Sequence, residues 1–238
     1  ERVPLSPAPF RVETAAATDV GRRRSGNEDC FSVWTAADGK PHAAETLLVV
    51  CDGMGGSNAG EVASRMAVDA VLRELAAASA DDAPTALAHA VQAANSEVWK
   101  YSRTHADLNG MGTTCTVLAV RGGEVLVAHV GDSRAYLVRG QHARQITTDH
   151  SLVAQLVARQ QLTAEEARHD PRRNVVTRSV GVAPDVDVDV VAVGEPLQDR
   201  DTLVVCSDGL HGQMSDGEIA TLATGDSLDQ ACLELIAL

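Results

Sequence analysis

The sequence of 238 residues contains three apolar segments that each end in an aspartate beside a glycine. These segments are residues 46–51, 125–131 and 202–207, and the aspartates are Asp52, Asp132 and Asp208. A β-strand is stiff, so carboxylates at the ends of neighbouring strands can converge on one point at little cost in conformational entropy. Such a cluster of negative charge is unstable unless a cation binds to it. The pattern therefore predicts that these aspartates share a metal site.

A single Asp-Gly pair is more often a turn signal than a metal site. Three strand-end aspartates, together with the acidic pair Glu28 and Asp29, favour the shared site over separate turns. Carboxylate oxygens suit Mg²⁺ or Mn²⁺ better than Zn²⁺ or Cu²⁺. Gly53 has no Cβ, so its backbone carbonyl can approach an ion closely. Two such ions can hold a bridging water or hydroxide and clamp a phosphoryl group for in-line attack, without a protein nucleophile.

The charge balance argues against nucleic acid as a partner. The 20 Lys and Arg residues are outnumbered by 33 Asp and Glu residues, which gives a net charge of −13. This charge repels polyanions, and the aromatic content of 3% leaves no stacking platform for bases. Two arginine clusters, residues 22–24 and 172–173, are either solvated surface or local contacts for a phosphate group.

The cysteines indicate a reducing compartment. There are five of them, an odd number, widely spaced and mostly in apolar segments, and none forms a Cys-x-x-Cys pair. Structural zinc is therefore disfavoured, and a cytoplasmic location is expected. Because no apolar stretch is long enough to cross a bilayer, we expect no membrane contact within this segment.

Hydrophobic periodicity predicts sheets flanked by helices. Residues 1–13 are expected to be irregular, and the remainder, 14–238, to form one domain. Strands are predicted at 15–20, 30–34, 47–51, 113–120, 124–130, 135–138, 186–193 and 202–206. Amphipathic helices are predicted from about Asn58, after the break at 81–84, and over 215–238, with short helical pieces in a movable surface element at about 149–181. The short glycine-containing turns favour antiparallel pairing, and hence sheet packed on sheet with helices outside.

Five motifs in order resemble those of the metal-dependent protein phosphatases, the type 2C serine/threonine phosphatases, in their bacterial form. They are Arg24-x-x-Asn27-Glu28-Asp29, Asp52-Gly53-Met54-Gly55-Gly56 with Gly60-Glu61-Val62-Ala63-Ser64, Gly110-Met111-Gly112-Thr113-Thr114, Gly131-Asp132-Ser133-Arg134 and Ser207-Asp208-Gly209. The resemblance covers residues 14–238. It implies an α+β fold, a four-layer αββα sandwich with two mainly antiparallel sheets between helices and the metals at one edge.

The resemblance also implies roles for individual residues. Asp52 bridges two main Mn²⁺ or Mg²⁺ ions, Gly53 offers its carbonyl to one of them, and Asp208 is a further ligand. Asp132 together with Asp208 holds a third, weaker ion. By the same resemblance, Glu28 and Asp29 hold metal-bound waters, and Arg24 binds the substrate phosphate. The flap at 149–181 brings Arg172 and Arg173 near the substrate.

The sequence departs from the family pattern at two places. Met54 stands where some relatives have a histidine, and it cannot donate a proton to a leaving group, so water or another group must do so. The final Gly-x-Asp-Asn motif does not occur up to Leu238, and Asp229 lies in a helical setting that does not replace it. His129 is interpreted as a hydrogen-bonded strand residue, and Ser133 is not assigned as a nucleophile.

Three functions are compatible with these residues. The first is metal-dependent hydrolysis of phosphoserine and phosphothreonine in proteins that a serine/threonine kinase has modified, by a monomeric enzyme. The second is a non-catalytic pseudophosphatase, a binding or regulatory module without the final metal ligand. The third is hydrolysis of a small phosphorylated metabolite. The strand-end aspartates and Arg24 favour the first.

Overall fold

Two antiparallel β-sheets lie at the centre of the computed structural model, which describes residues 11–22, 26–35, 44–55, 59–79, 82–225 and 227–237. The first sheet contains β1 (Asp29–Thr35), β2 (Thr46–Met54), β3 (Gly112–Thr113), β4 (Cys115–Arg121), β5 (Glu124–Val130) and β8 (Asp189–Ala192). The second contains β6 (Arg134–Arg139), β7 (His142–Gln145) and β9 (Thr202–Cys206). The strand orders are β1-β2-β4-β5-β8, with β3 paired to β2, and β7-β6-β9.

Two long helices cover the outer face of the first sheet. They are α1 (Ala59–Ala77) and α2 (Ala83–Thr104). In α2 the Asp82 side chain caps the first turn by accepting from the Thr85 amide at 3.2 Å. The remaining helices are α3 (Leu152–Ala158), α4 (Ala164–His169), α5 (Asp208–His211), α6 (Asp216–Ala223) and α7 (Leu228–Ile236).

Alternation along the strands divides the apolar core into three layers. On β2, Leu47 and Val49 pack against α1 and α2, whereas Leu48 packs into the cluster between the sheets. On β6, Leu137 belongs to that central cluster, whereas Tyr136 packs against α6 and α7. Because successive side chains of a strand point to opposite faces, one strand serves two layers. The order of layers is therefore helix, sheet, sheet, helix, which confirms the αββα fold.

The connection between β4 and β5 is the hairpin that the glycines predict. Arg121 pairs with Glu124, and the two residues between them, Gly122 and Gly123, have φ values of 57° and 81°. A two-residue turn of this type needs positive φ at both positions, which glycine adopts without steric cost.

Some predicted elements differ from the structure. No regular secondary structure occurs over residues 15–20, where a strand was expected, because this alanine-rich segment has low strand propensity and no ladder partner among the described residues. The strand expected at 186–193 is limited to Asp189–Ala192, the residues that pair with β5. Most of the expected lead-in, residues 1–10, lies outside the described residues. Within the described ranges, no helix is long and apolar enough to cross a membrane.

Candidate active site

The ends of β1 and β2 place two of the predicted carboxylates side by side. Asp29 and Asp52 are register partners in the antiparallel β1–β2 pair. Two threonines hold the Asp52 backbone: the Thr114 hydroxyl accepts from its amide at 2.8 Å, and the Thr113 hydroxyl donates to its carbonyl at 2.9 Å. The Thr114 amide also donates to the Asp52 carbonyl, at 2.9 Å. These bonds position Asp52 on rigid elements.

Asp208 reaches the same region from the second sheet. The Ser207 hydroxyl donates to Oδ2 of Asp29 at 2.7 Å, across a separation of 178 residues. Ser207 is the N-cap residue of α5, and α5 begins at Asp208. This bond therefore joins the Asp208 turn to the strand that carries Asp29. Glu28, Asp29, Asp52 and Asp208 all line one cleft of about 2040 Å³, which lies between β1, β2 and β9.

Gly53 is at a position where no side chain fits. A Cβ there would lie 2.1 Å from the Gly60 carbonyl oxygen and 2.6 Å from the Glu28 carbonyl oxygen. The Gly53 amide donates to that Glu28 carbonyl at 3.1 Å. A Cβ on Gly60 would lie 2.7 Å from Oε1 of Glu28. The absence of a Cβ at Gly53 thus lets the end of β2 lie against the start of α1, with the Glu28 carboxylate beside it, whereas the predicted approach of the Gly53 carbonyl to an ion stays a prediction.

Asp132 lies in the turn that follows β5, and only 6% of its surface is exposed. Burial, together with the facing carboxylates of Asp208 and Asp149, raises its pKa to about 7. The His211 side chain donates from Nε2 to the Asp132 carbonyl at 2.9 Å. Burial and the nearby Arg134 guanidinium lower the pKa of His211 to about 4, so the imidazole is neutral at pH 7. Asp132 does not line the cleft that the other carboxylates share.

Arg134 fixes the start of the flap. Its guanidinium binds Asp149 through two hydrogen bonds, from Nε to Oδ1 at 2.9 Å and from Nη2 to Oδ2 at 2.7 Å. In the flap, Arg172 binds Asp170 in a similar two-point ion pair. The predicted phosphate-binding residue Arg24 lies outside the described residues, so its role stays a prediction.

The site chemistry suits a hard divalent ion. Every candidate ligand offers a carboxylate or carbonyl oxygen, and Asp132 is a buried carboxylate that faces two others. Among the residues that the structure describes, no three His, Cys, Asp or Glu side chains are close enough together to hold a metal ion. What the fold brings together is the backbone positions of Asp29, Asp52 and Asp208, and it sets Asp132 opposite Asp208.

Several supporting residues were missed by the sequence interpretation. Ser207, Thr113 and Thr114 orient candidate ligands through hydrogen bonds. The backbone of Gly60 packs against Gly53, and His211 donates to the Asp132 carbonyl. Thr113, Thr114 and Ser207 stand inside the recognised motifs, and Ser207 directly precedes Asp208, so these motifs could have identified them. No local pattern marks His211, because its contact lies 79 residues away along the chain.

Comparison with known proteins assigns the family. A family model described as protein phosphatase 2C matches residues 22–231. The serine/threonine phosphatase stp of Listeria monocytogenes is 41% identical over 206 residues, which cover 85% of this chain and 79% of that protein.

Solved structures agree with this match. A crystal structure of a bacterial serine phosphatase superposes with a TM-score of 0.83 at 35% identity and covers 92% of this chain and 88% of that one. The catalytic domain of the phosphatase PstP in complex with two manganese ions gives a TM-score of 0.76 at 32% identity, over 93% and 88% of the two chains. The chain therefore belongs to the protein phosphatase 2C family and is a serine/threonine phosphatase.

Proposed function

We propose that the chain hydrolyses phosphoserine and phosphothreonine in proteins with two Mn²⁺ or Mg²⁺ ions as cofactors. The observation that carries this proposal is the meeting of Asp29 and Asp52 from the first sheet with the Asp208 turn from the second sheet along one cleft. The relative PstP, in complex with two manganese ions, supports the choice of ion. When bound, the ions supply an activated water and neutralise charge on the phosphoryl oxygens.

The chain's own residues would hold and orient these groups. Asp52, Gly53 and Asp208 would bind the two main ions, and Glu28 and Asp29 would bind their water ligands. A third ion would lie between Asp132 and Asp208. The hydrogen bonds from Thr113 and Thr114 keep the Asp52 backbone in place, and Ser207 orients the Asp29 carboxylate, which reduces the ordering that ion binding requires. Arg24 would bind the substrate phosphate.

The same proposal includes the setting in which the enzyme acts. The enzyme would act as a monomer. Its partners would be phosphorylated proteins produced by a serine/threonine kinase. The five cysteines are free thiols in the structure, as expected for a protein of the reducing cytoplasm.

The test is phosphate release from a phosphothreonine peptide after EDTA treatment, with and without added Mn²⁺. We expect release only with Mn²⁺, and a loss of about 100-fold or more in kcat/KM for Asp52→Asn, because an amide is a poor substitute for a bridging carboxylate. The matched control is Asp107→Asn, which neutralises an exposed aspartate in the short 3₁₀ helix Ala106–Leu108 and should leave the rate unchanged.

Absence of Mn²⁺-dependent release by the unaltered protein would contradict the proposal. Binding of the phosphopeptide without release would instead favour the non-catalytic module. A panel of small phosphorylated metabolites, assayed in parallel, separates protein substrates from metabolites through the ratio of kcat/KM values.

A further inference from the structure

His211 connects the two backbone segments that carry Asp132 and Asp208, the residues proposed to hold the weaker ion. It is the last residue of α5, one helical turn after Asp208. Its Nε2–H donates to the Asp132 carbonyl at 2.9 Å. Asp132 follows a strand of the first sheet, whereas Asp208 follows a strand of the second. This hydrogen bond thus crosses from one sheet to the other beside both aspartates.

The backbone on each side of this bond is firmly held. In α5, the Leu210 amide donates to the Ser207 carbonyl at 3.2 Å, and the Gly212 amide donates to the Asp208 carbonyl at 2.9 Å. In the Asp132 turn, the Gly131 amide donates to Nδ1 of His150 at 3.0 Å, and the Gly131 carbonyl accepts from the His150 amide at 2.7 Å. A displacement of α5 would therefore move the Asp132 turn through the His211 hydrogen bond, and a displacement of the Asp132 turn would move α5.

From this geometry we propose that His211 is a positioning residue, which sets the separation between Asp132 and Asp208 for binding of a divalent cation. The inference rests on the proposed function, because it concerns the same ions. His211 touches neither substrate nor ion. It acts through the Asp132 backbone, and it reduces the ordering that the two carboxylates need before an ion binds.

Two amide variants separate this role from packing. His211→Gln keeps a donor at the same number of bonds from Cβ as Nε2, whereas the amide of His211→Asn is one bond shorter. We expect calorimetric titration to show about 10-fold weaker Mn²⁺ binding for the Asn variant, and binding within about 3-fold of the unaltered protein for the Gln variant. The Mn²⁺ concentration for half-maximal phosphatase activity should shift in parallel.

A double-mutant cycle with Asp132→Asn tests whether His211 acts through Asp132. If it does, His211→Asn should cause no additional loss of Mn²⁺ affinity when Asp132 is already Asn. Thermal unfolding in EDTA shows whether each variant is folded. If His211→Asn fails to fold, His211→Phe is used in the cycle in its place. This variant keeps an aromatic ring and removes the hydrogen-bond donor.

The outcomes are distinct. Equal Mn²⁺ affinity of the unaltered protein and the folded variant without the donor would overturn the role of His211 and leave the proposed function intact. Additive losses in the cycle would also overturn it, since His211 would then act independently of Asp132. If the unaltered protein bound no Mn²⁺ in the titration, the proposed function would fail, and the inference about His211 with it.

Discussion

The site can form only if residue 53 has no side chain, as is the case for Gly53. Its backbone lies against the Gly60 carbonyl at the start of α1 and against the Glu28 carbonyl before β1. The two segments that carry Glu28 and Asp52 therefore meet the start of α1 at a point with no spare volume. A Cβ cannot be accommodated by rotating a side chain, because the atoms that it would contact are backbone atoms.

The substitution Gly53→Ala should consequently displace β2 or α1. We expect a loss of about 1–3 kcal/mol in the free energy of unfolding and at least 10-fold weaker Mn²⁺ binding. The matched control is Gly194→Ala, because a Cβ at Gly194 has nothing within 4 Å. Denaturant titration and calorimetry measure the two effects. Equal stability of the two alanine variants would contradict the crowding inferred for Gly53.

His129 is a second residue whose environment has a measurable consequence. It is fully buried, its Nδ1 is bonded to the Thr116 hydroxyl at 2.9 Å, and its Nε2 has no hydrogen-bond partner in the part of the chain that the structure describes. Burial and the neighbouring His150 lower its pKa to about 4, while Asp149 and Asp189 oppose the shift. The folded protein thus holds this imidazole neutral at a pH where the unfolded chain binds a proton.

The pH dependence of stability follows from this difference. Neutral His129 contributes fully to the free energy of unfolding above pH 6.5, the ordinary pKa of histidine. This contribution is lost as the pH falls from 6.5 to about 4. Of the loss in the free energy of unfolding that urea titration measures over that range, we expect about 3 kcal/mol to come from His129, and a further part from His211, whose pKa is also lowered to about 4. His129→Gln should reduce the loss, whereas exposed His142→Gln should not. An unchanged acid slope in His129→Gln would refute the assignment.

The flap is the element whose two ends are anchored to the core. At its start, Arg134 binds Asp149, and the His150 amide donates to the Gly131 carbonyl at 2.7 Å. At its end, the buried Asn95 side chain on α2 accepts from the Gly181 amide at 2.7 Å. The same carboxamide donates to the carbonyls of two following residues, Ala183 and Pro184, at 3.1 Å each. Any movement of the flap is therefore expected between these anchors.

Asn95→Leu tests the anchor at the end of the flap. The change keeps the number and branching of the side-chain heavy atoms but removes the hydrogen-bond partner of one backbone amide and two carbonyls. We expect a loss of about 1–3 kcal/mol in the free energy of unfolding, because the Gly181 amide is buried and loses its partner, whereas the carbonyls of exposed Ala183 and Pro184 can bind water. Limited proteolysis should cut faster within residues 149–184. Gln92→Leu, at an exposed position on the same helix, is the control, and equal cleavage rates would show that Asn95 is not the anchor.

Local sequence patterns predicted helices and hairpins well, because the residues that interact in these elements are only a few positions apart in the sequence. The periodic face of α1, with Val68, Val71 and Leu75, and the glycine hairpin between β4 and β5 are such cases. They did not predict that the segment 15–20 pairs with no strand of the described ranges, because pairing depends on which strand edge is available. The contact of Ser207 with Asp29 also depends on tertiary packing, since 178 residues separate the two.

At the scale of the whole molecule, the site joins the two sheets. Asp52 belongs to the first sheet, Asp208 follows the second, and the Asp29–Ser207 and Asp132–His211 bonds connect them. An ion held by residues of both sheets binds the native state only, because unfolding separates its ligands. Metal binding should therefore stabilise the whole fold in addition to enabling catalysis.

Mn²⁺ should accordingly raise the midpoint of thermal unfolding, and EDTA should reverse the rise. At a free ion concentration 100 times the Kd, the native state gains about 2.7 kcal/mol per site. Scanning calorimetry of the unaltered protein, Asp52→Asn and the control Asp107→Asn tests this coupling. The shift should be much smaller in Asp52→Asn and unchanged in Asp107→Asn, since Asp52 lines the cleft and Asp107 does not. An equal shift in all three proteins would mean that Mn²⁺ binds outside the cleft and does not stabilise the contact between the two sheets.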